Sequence, residues 1–192
     1  MKPAFGLVAI ALAALSAPAM AQTTQTGTVG VDGSVRPVCI LGNPVPPLVN
    51  LGQISASSGP RTGRIAVIPS QTVILPASQC NFAGSVVTVR ATALTASDTS
   101  APQPGFGRAV NYTATVTGWA SGSSAATPSA LRDGSNPVAT GTGATQPLPK
   151  VADLTLTLTN FTAPTDPILV AGNYSGTVVV TLGPAATVSE DR

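Results

Sequence analysis

A chain of 192 residues suffices for one ordinary domain or two small ones, and a 43% hydrophobic fraction is enough to build a core. Only 8% of its residues are charged, against about 25% in an average soluble domain, so hydroxyls and amides must wet the surface instead. Histidine is absent and the net charge is +2; the first removes the commonest general base and zinc ligand, and the second is too weak a field for nucleic acid.

In chain order, residues 1–21 have the form of a signal peptide. Lys2 gives a positive start, Ala4 to Leu15 is a short apolar run, and Ala19-Met20-Ala21 offers small residues for cleavage before Gln22. That run is too short to cross about 30 Å of hydrocarbon, and no other stretch reaches the roughly 18 apolar residues of a membrane helix, so no membrane span is expected. Export to an oxidising compartment gives the two cysteines a meaning. Cys39 and Cys80 are the only pair available, they lack C-x-x-C spacing, and they are expected to form a disulfide contributing roughly 4 kcal/mol in the chain-entropy model.

Residues 22–182 read as a single all-β sandwich domain. Within 22–36, Val29, Val31, Gly33 and Val35 share one parity against Gly30, Asp32 and Ser34, the pattern of a strand with one buried face. Further strands are expected over Ile65 to Leu75 (broken by Pro69), Ser85 to Leu94, Val110 to Val116, the Leu154/Leu156/Leu158 alternation, and Tyr174 to Leu182. No segment has a 3.6-residue period, and the 19 glycines and 18 prolines fall mostly between these runs. Residues 97–107 and 118–149 are rich in Ser, Thr, Gly, Ala and Pro; the second is long enough to be either a decorated loop or one that contains a short hairpin, and is expected to be a mobile surface excursion, dispensable for folding because it has little apolar surface to bury. Residues 183–192 are expected to be a disordered tail.

Candidate chemistry is sparse, and the sequence designates no catalytic, cofactor-binding or metal-ligating residue. No Cys/His cluster or D-x-D-x-D-G loop is present, and there is no G-x-S-x-G elbow and no histidine to serve a serine nucleophile. Asp133-Gly134-Ser135-Asn136 reads as a turn, and Gly141-Thr142-Gly143 and Gly105-Phe106-Gly107 as loop glycines. Trp119 and Tyr112 read as core and rim aromatics of a sandwich before they read as a ligand platform. The expectation is a protein that is not an enzyme and carries no cofactor.

The arrangement of segments is more informative than any single motif. An alternating N-terminal strand precedes a cysteine, Leu51-Gly52-Gln53 follows, Ser78-Gln79-Cys80-Asn81 opens a strand, and Ala171-Gly172-Asn173-Tyr174 introduces the last, which runs Ser-Gly-Thr-Val-Val-Val-Thr-Leu to Leu182. This resembles the chaperone-usher pilin superfamily, most closely its spore coat protein U and Csu-type branch, over Thr26 to Leu182. The resemblance implies an incomplete immunoglobulin-like sandwich whose missing strand is supplied by the next subunit. Thr28 to Val35 would be the donor, with Val29, Val31 and Val35 filling pockets and Gly33 at a crowded position. The implied partners are identical or related pilin subunits, a periplasmic chaperone and an outer-membrane usher, on a route through the periplasm to the cell surface. Two features depart from the pattern: so few residues separate Gln22 from Cys39 that one strand would serve as both donor and first strand, and a tail follows Leu182. The same stretch could equally be the first strand of a self-complete sandwich, in which case a secreted carbohydrate- or surface-binding adhesin, its pocket built from Trp119 and its loop, is the alternative.

Overall fold

A computed structural model describes residues 24–185; the expected signal segment and most of the expected tail lie outside the described residues. The chain divides into two units, one ending at Val35 and one beginning at Arg36. The first unit, over its described residues 24–35, corrects one expectation: the alternating segment is part of no strand ladder, and Val29, Val31 and Val35 are 86%, 91% and 86% exposed. Alternation supplies only the apolar face of a strand; the backbone needs an edge to pair with before a strand exists.

The second unit is built of twelve strands: β1 Cys39–Ile40, β2 Gln71–Cys80, β3 Ser85–Thr92, β4 Leu94–Ala96, β5 Phe106–Gly107, β6 Ala109–Thr117, β7 Ser124–Ala126, β8 Val138–Thr142, β9 Lys150–Thr162, β10 Ile168–Leu169, β11 Tyr174–Ser175 and β12 Val178–Pro184. A large sheet has the order β1-β2-β9-β6-β4-β11, with β7 also on β6; a small sheet has the order β12-β3-β8; β5 and β10 form a short parallel pair. The two main sheets make a β-sandwich. Its core joins Val73, Leu75, Leu154, Leu156 and Leu158 of the large sheet to Val87, Val89 and Ala91 of the small one.

Local chemistry explains where the strands begin and break. Pro69 keeps the Ile65 to Leu75 run from being one strand: Ile65 makes only an isolated bridge to Ser55, and β2 starts at Gln71. Pro76 is tolerated inside β2 because the ladder to β9 shifts register between Leu75 and Ser78. There Ala77 N–H donates to Asp153 Oδ1 at 2.8 Å, and the Ser78 hydroxyl donates to the Leu75 carbonyl at 3.0 Å, which replaces the missing ladder bonds. The Asp133 turn forms as expected, with Ser135 N–H and Oγ both donating to Asp133 Oδ1 at 3.0 and 2.6 Å.

Threonine clothes the outer faces. Thr157 lies opposite Thr72 on one side and Thr115 on the other, while Thr88 lies between Thr142 and Thr181. Facing hydroxyls come within 3.0 Å for Thr113 and Thr127 and 3.3 Å for Thr88 and Thr142. A β-branched residue that carries a hydroxyl suits both strand conformation and water, so the sheets stay wet with few charges.

The 118–149 stretch is not the mobile excursion its composition suggests. It contributes β7 to the large sheet and β8 to the small one, and buries Trp119, Ser124, Ala126 and Ala130. Its small residues are the reason. A Cβ on Gly141 would overlap the Ala125 carbonyl, and one on Gly143 would overlap Ser124 Oγ, so the two sheets come together along this edge only because glycine stands there. The expected tail is corrected at its start as well, since Gly183 and Pro184 pair with Val86 and Ser85. Gly141→Ala is therefore expected to lower thermal stability by about 1–3 kcal/mol, and replacing residues 118–149 with a Gly-Ser turn to abolish soluble, folded protein; melting curves and soluble yield are the measurements.

Candidate functional site along the free edge of the last strand

The last two strands are one extended chain that changes sheets. β3 and β4 leave the small sheet for the large one around Ala93, and β11 and β12 make the reverse crossing at Gly176 and Thr177. The crossing is tight: a Cβ on Gly176 would lie 2.6 Å from the Thr92 carbonyl oxygen and 3.0 Å from that of Ala93. Thr92 N–H donates to the Thr177 carbonyl at 2.8 Å. From the opposite sheet the Tyr112 hydroxyl donates to the Thr92 carbonyl at 2.9 Å and reaches that of Thr177 at 3.4 Å. The Tyr112 ring stacks on Phe161 with centroids 5.7 Å apart. Burial pushes the Tyr112 phenol up to about 12. Tyr174 is held in a similar way, donating to Val170 O at 2.9 Å, and burial raises its phenol too, against the opposing pull of Arg108.

Beyond this crossing β12 pairs with β3 alone and leaves its other edge without a ladder partner among the described residues. An apolar trough of about 520 Å³ runs beside that edge. Val178 and Val180 of β12 line it together with Leu41, Val49 and, from the facing sheet, Leu156 and Leu158. At the end of the sandwich where Cys80, Ser85 and Pro184 lie, here the lower end, β1 lies beside β12, and on β12 the lining of the trough stops at Val180. At the upper end it adjoins a more polar cleft of about 600 Å³ lined by Asn50, Gln53, Asn173 and Tyr174, with Leu94 and Gly176 common to both. Val178-Val179-Val180-Thr181-Leu182 carries no charge, whereas free edges are usually blunted with Lys, Pro or a bulge.

The two cysteines are joined. Cys39 and Cys80 are directly opposite in the β1–β2 ladder with Cα atoms 4.2 Å apart, and the bridge ties the start of the second unit to the lower end of the sandwich. Asn81 reinforces it: its Nδ2 donates to Arg36 O at 2.9 Å, its Oδ1 accepts from Val38 N–H at 2.8 Å, and its own N–H donates to Val38 O at 3.1 Å. Val29, Val31, Gly33 and Val35 all lie in the exposed first unit, and no atom beyond the chain neighbours lies within 4 Å of a Cβ built on Gly33.

Trp119 offers no platform. It is 2% exposed, its Nε1–H donates to Ser85 Oγ at 3.2 Å, and Lys150 covers the ring at 5.8 Å while donating to Gly118 O. The space beside it, about 10 Å³, has room for one water at most. Among the described residues no group of three or more His, Cys, Asp or Glu could hold a metal ion, and no helix is long and apolar enough to cross a membrane. Asp166 accepts from Arg61 at 2.7 and 3.1 Å, which with Arg64 nearby holds its carboxyl below the usual range; none of the three residues lines the trough. Sequence reasoning missed the structural roles of Tyr112, Phe161, Gly176 and Asn81. The only signal was that Asn81 follows Cys80 directly and that Gly176 interrupts the last strand. In comparisons with known proteins, no family model, no curated protein and no solved structure matches the chain.

The Tyr112 hydroxyl yields a pH prediction. Its folded pKa, about 12, lies above the ordinary 10.0, so the associated stability is complete below pH 10 and is lost as pH rises through the folded value. Alkaline titration should remove on the order of 2 kcal/mol. Tyr112→Phe should lower neutral-pH stability by about 1 kcal/mol and abolish most of that alkaline loss, both read from denaturant melts between neutral pH and pH 12.

Proposed function

We propose that this chain is a non-enzymatic structural subunit of a bacterial surface fibre or coat, assembled by strand addition, with Thr28–Val35 of one copy lying in the trough of the next. One observation carries the reading: an uncharged edge strand beside an apolar trough, in a chain that also holds an unpaired segment with its valines exposed on one parity. An extended segment pairs its backbone with such an edge and sets alternate side chains into the trough. Val29, Val31 and Val35 are the anchors, each worth roughly 1.5–3 kcal/mol when fully buried, and Gly33 takes the position where a side chain would be most crowded.

The closed lower end of the trough determines how copies are joined. A donor segment enters from the upper end, its Val35 end nearest the cleft and Thr28 nearest the closed end, antiparallel to β12. The donor's own body, rooted at its lower end, then stands on the acceptor's upper end. Such a heterologous contact leaves the assembly with a free trough at one end and a free segment at the other, so it propagates as a filament. An open trough in transit exposes apolar surface and an unpaired edge, and the reading therefore includes a periplasmic chaperone that covers them and an outer-membrane usher that exchanges it for the next subunit.

Folding and assembly should separate under mutation. Val31 is exposed and a Cβ at Gly33 meets no atom within 4 Å among the described residues, so with Gly33→Leu or Val31→Asp the melting temperature of the monomer should stay within the scatter of ordinary surface substitutions, about 0.5 kcal/mol, while multimers disappear from native gels. A monomer that melts earlier and still multimerises would overturn the donor-strand reading.

A further inference from the structure

The second unit begins at Arg36, and its first residues are held closely in place. The Arg36 carbonyl is already bonded to Asn81, Val38 is bonded to Asn81 in both directions, and Cys39 is covalently fixed opposite Cys80. β1 continues upward from that point, pairing Ile40 with Gln79, and Val45 bridges to Ile74. The root of the N-terminal segment is thus pinned to the lower end of the sandwich. β1 also lies beside β12, in the direction in which the lining of the trough stops at Val180, and we take it as the element that ends the trough.

These constraints bear on which trough the segment can use. To lie antiparallel to β12 in its own chain, the segment needs Val35 at the upper end while Arg36 stays at the lower end. That separation is about the length of β2, whose 10 residues span roughly 33 Å at about 3.3 Å per residue. A single peptide bond joins Val35 to Arg36. Entry from below would need the parallel direction, at the end where β1 occupies the space beside β12. A second copy faces neither obstacle, since its segment arrives at the open upper end.

We propose that the Asn81 contacts and the Cys39–Cys80 bridge act as a device that forces assembly between copies: by pinning the root and closing the lower end of the trough, they deny the segment its own trough and leave it only that of a neighbour. This rests on the strand-addition reading above and adds what directs the strand to a second chain. It makes Asn81 and the bridge positioning elements whose effect on assembly runs through the length of free chain before Arg36. Chain slack is then the controlling variable. A segment tethered with enough slack meets its own trough at an effective concentration in the millimolar range, far above that of other copies at micromolar protein.

The experiment inserts about twelve Gly-Ser residues between Val35 and Arg36, enough to span roughly 40 Å, with Asn81 and the bridge left intact. The insertion lies at an exposed junction outside every ladder, so folding is expected to be unchanged. Size-exclusion profiles over a range of concentrations, with limited proteolysis of the segment, are compared for the native and inserted chains. The expected result is concentration-dependent multimers for the native chain and, at the same concentrations, a monomer for the inserted chain whose segment is cut at least about tenfold more slowly than that of its Val31→Asp derivative, as sequestration requires. An inserted chain that multimerises like the native one overturns the inference while leaving strand addition standing. A native chain that is already monomeric with a protected segment overturns it as well, since the pinned root would not prevent self-closure. A native chain that is monomeric with a freely cut segment, or multimers that survive Val31→Asp, would instead remove the strand-addition reading itself, and this inference with it.

Discussion

The peptide groups along the outer edge of β12 govern the rest of the molecule. β3 satisfies one side of this strand, and the other side has no ladder partner among the described residues. At the opposite margin of the small sheet, Gly141 and Gly143 let β8 settle against β7 and bring the two sheets together. A sandwich drawn in on one side and open on the other cannot bury its floor fully from within, and Val178, Val180 and Leu182 remain only partly covered although they pack on the main core. Since buried backbone groups need partners and apolar floors need cover, the open side is where the proposed strand addition would take place.

Much of the remaining architecture presents that edge in a defined shape. The absence of a side chain at Gly176 lets the last strand cross between sheets close to Thr92 and Ala93, and the Tyr112 hydroxyl bonds the crossing from beneath. One buried phenol thus links the floor of the trough to the backbone of its wall. The outer sheet faces contrast with it. They are ladders of threonine with few charges, so hydroxyls keep the sheets solvated, whereas the run Val178–Leu182 of β12 is uncharged and mostly apolar.

Several elements were legible in the chain because their signals are local. Period-two alternation gave away β3, β6 and β9, since inward and outward positions alternate along any half-buried strand. The cysteine pairing followed from the expected compartment and from there being no other partner. Residues 118–149 misled for a physical reason: Ala, Ser and Gly contribute little to an apolar count, yet small residues are what a close approach between sheets requires, so composition described a loop where the fold places two strands and a buried tryptophan.

The sequence by itself determined an all-β chain with one possible disulfide, a surface wetted by hydroxyls and an alternating N-terminal segment, because each of these depends on residue type and spacing along a few neighbouring positions. Only the tertiary structure decided that the alternating segment is unpaired, that β12 keeps a free edge, that Tyr112 supports the crossing, and that Asn81 secures the root. Each of these depends on which strands lie side by side, and pairing between residues as distant as Arg36 and Asn81, or Thr92 and Thr177, is set by the closing of the whole sandwich, which no local pattern encodes.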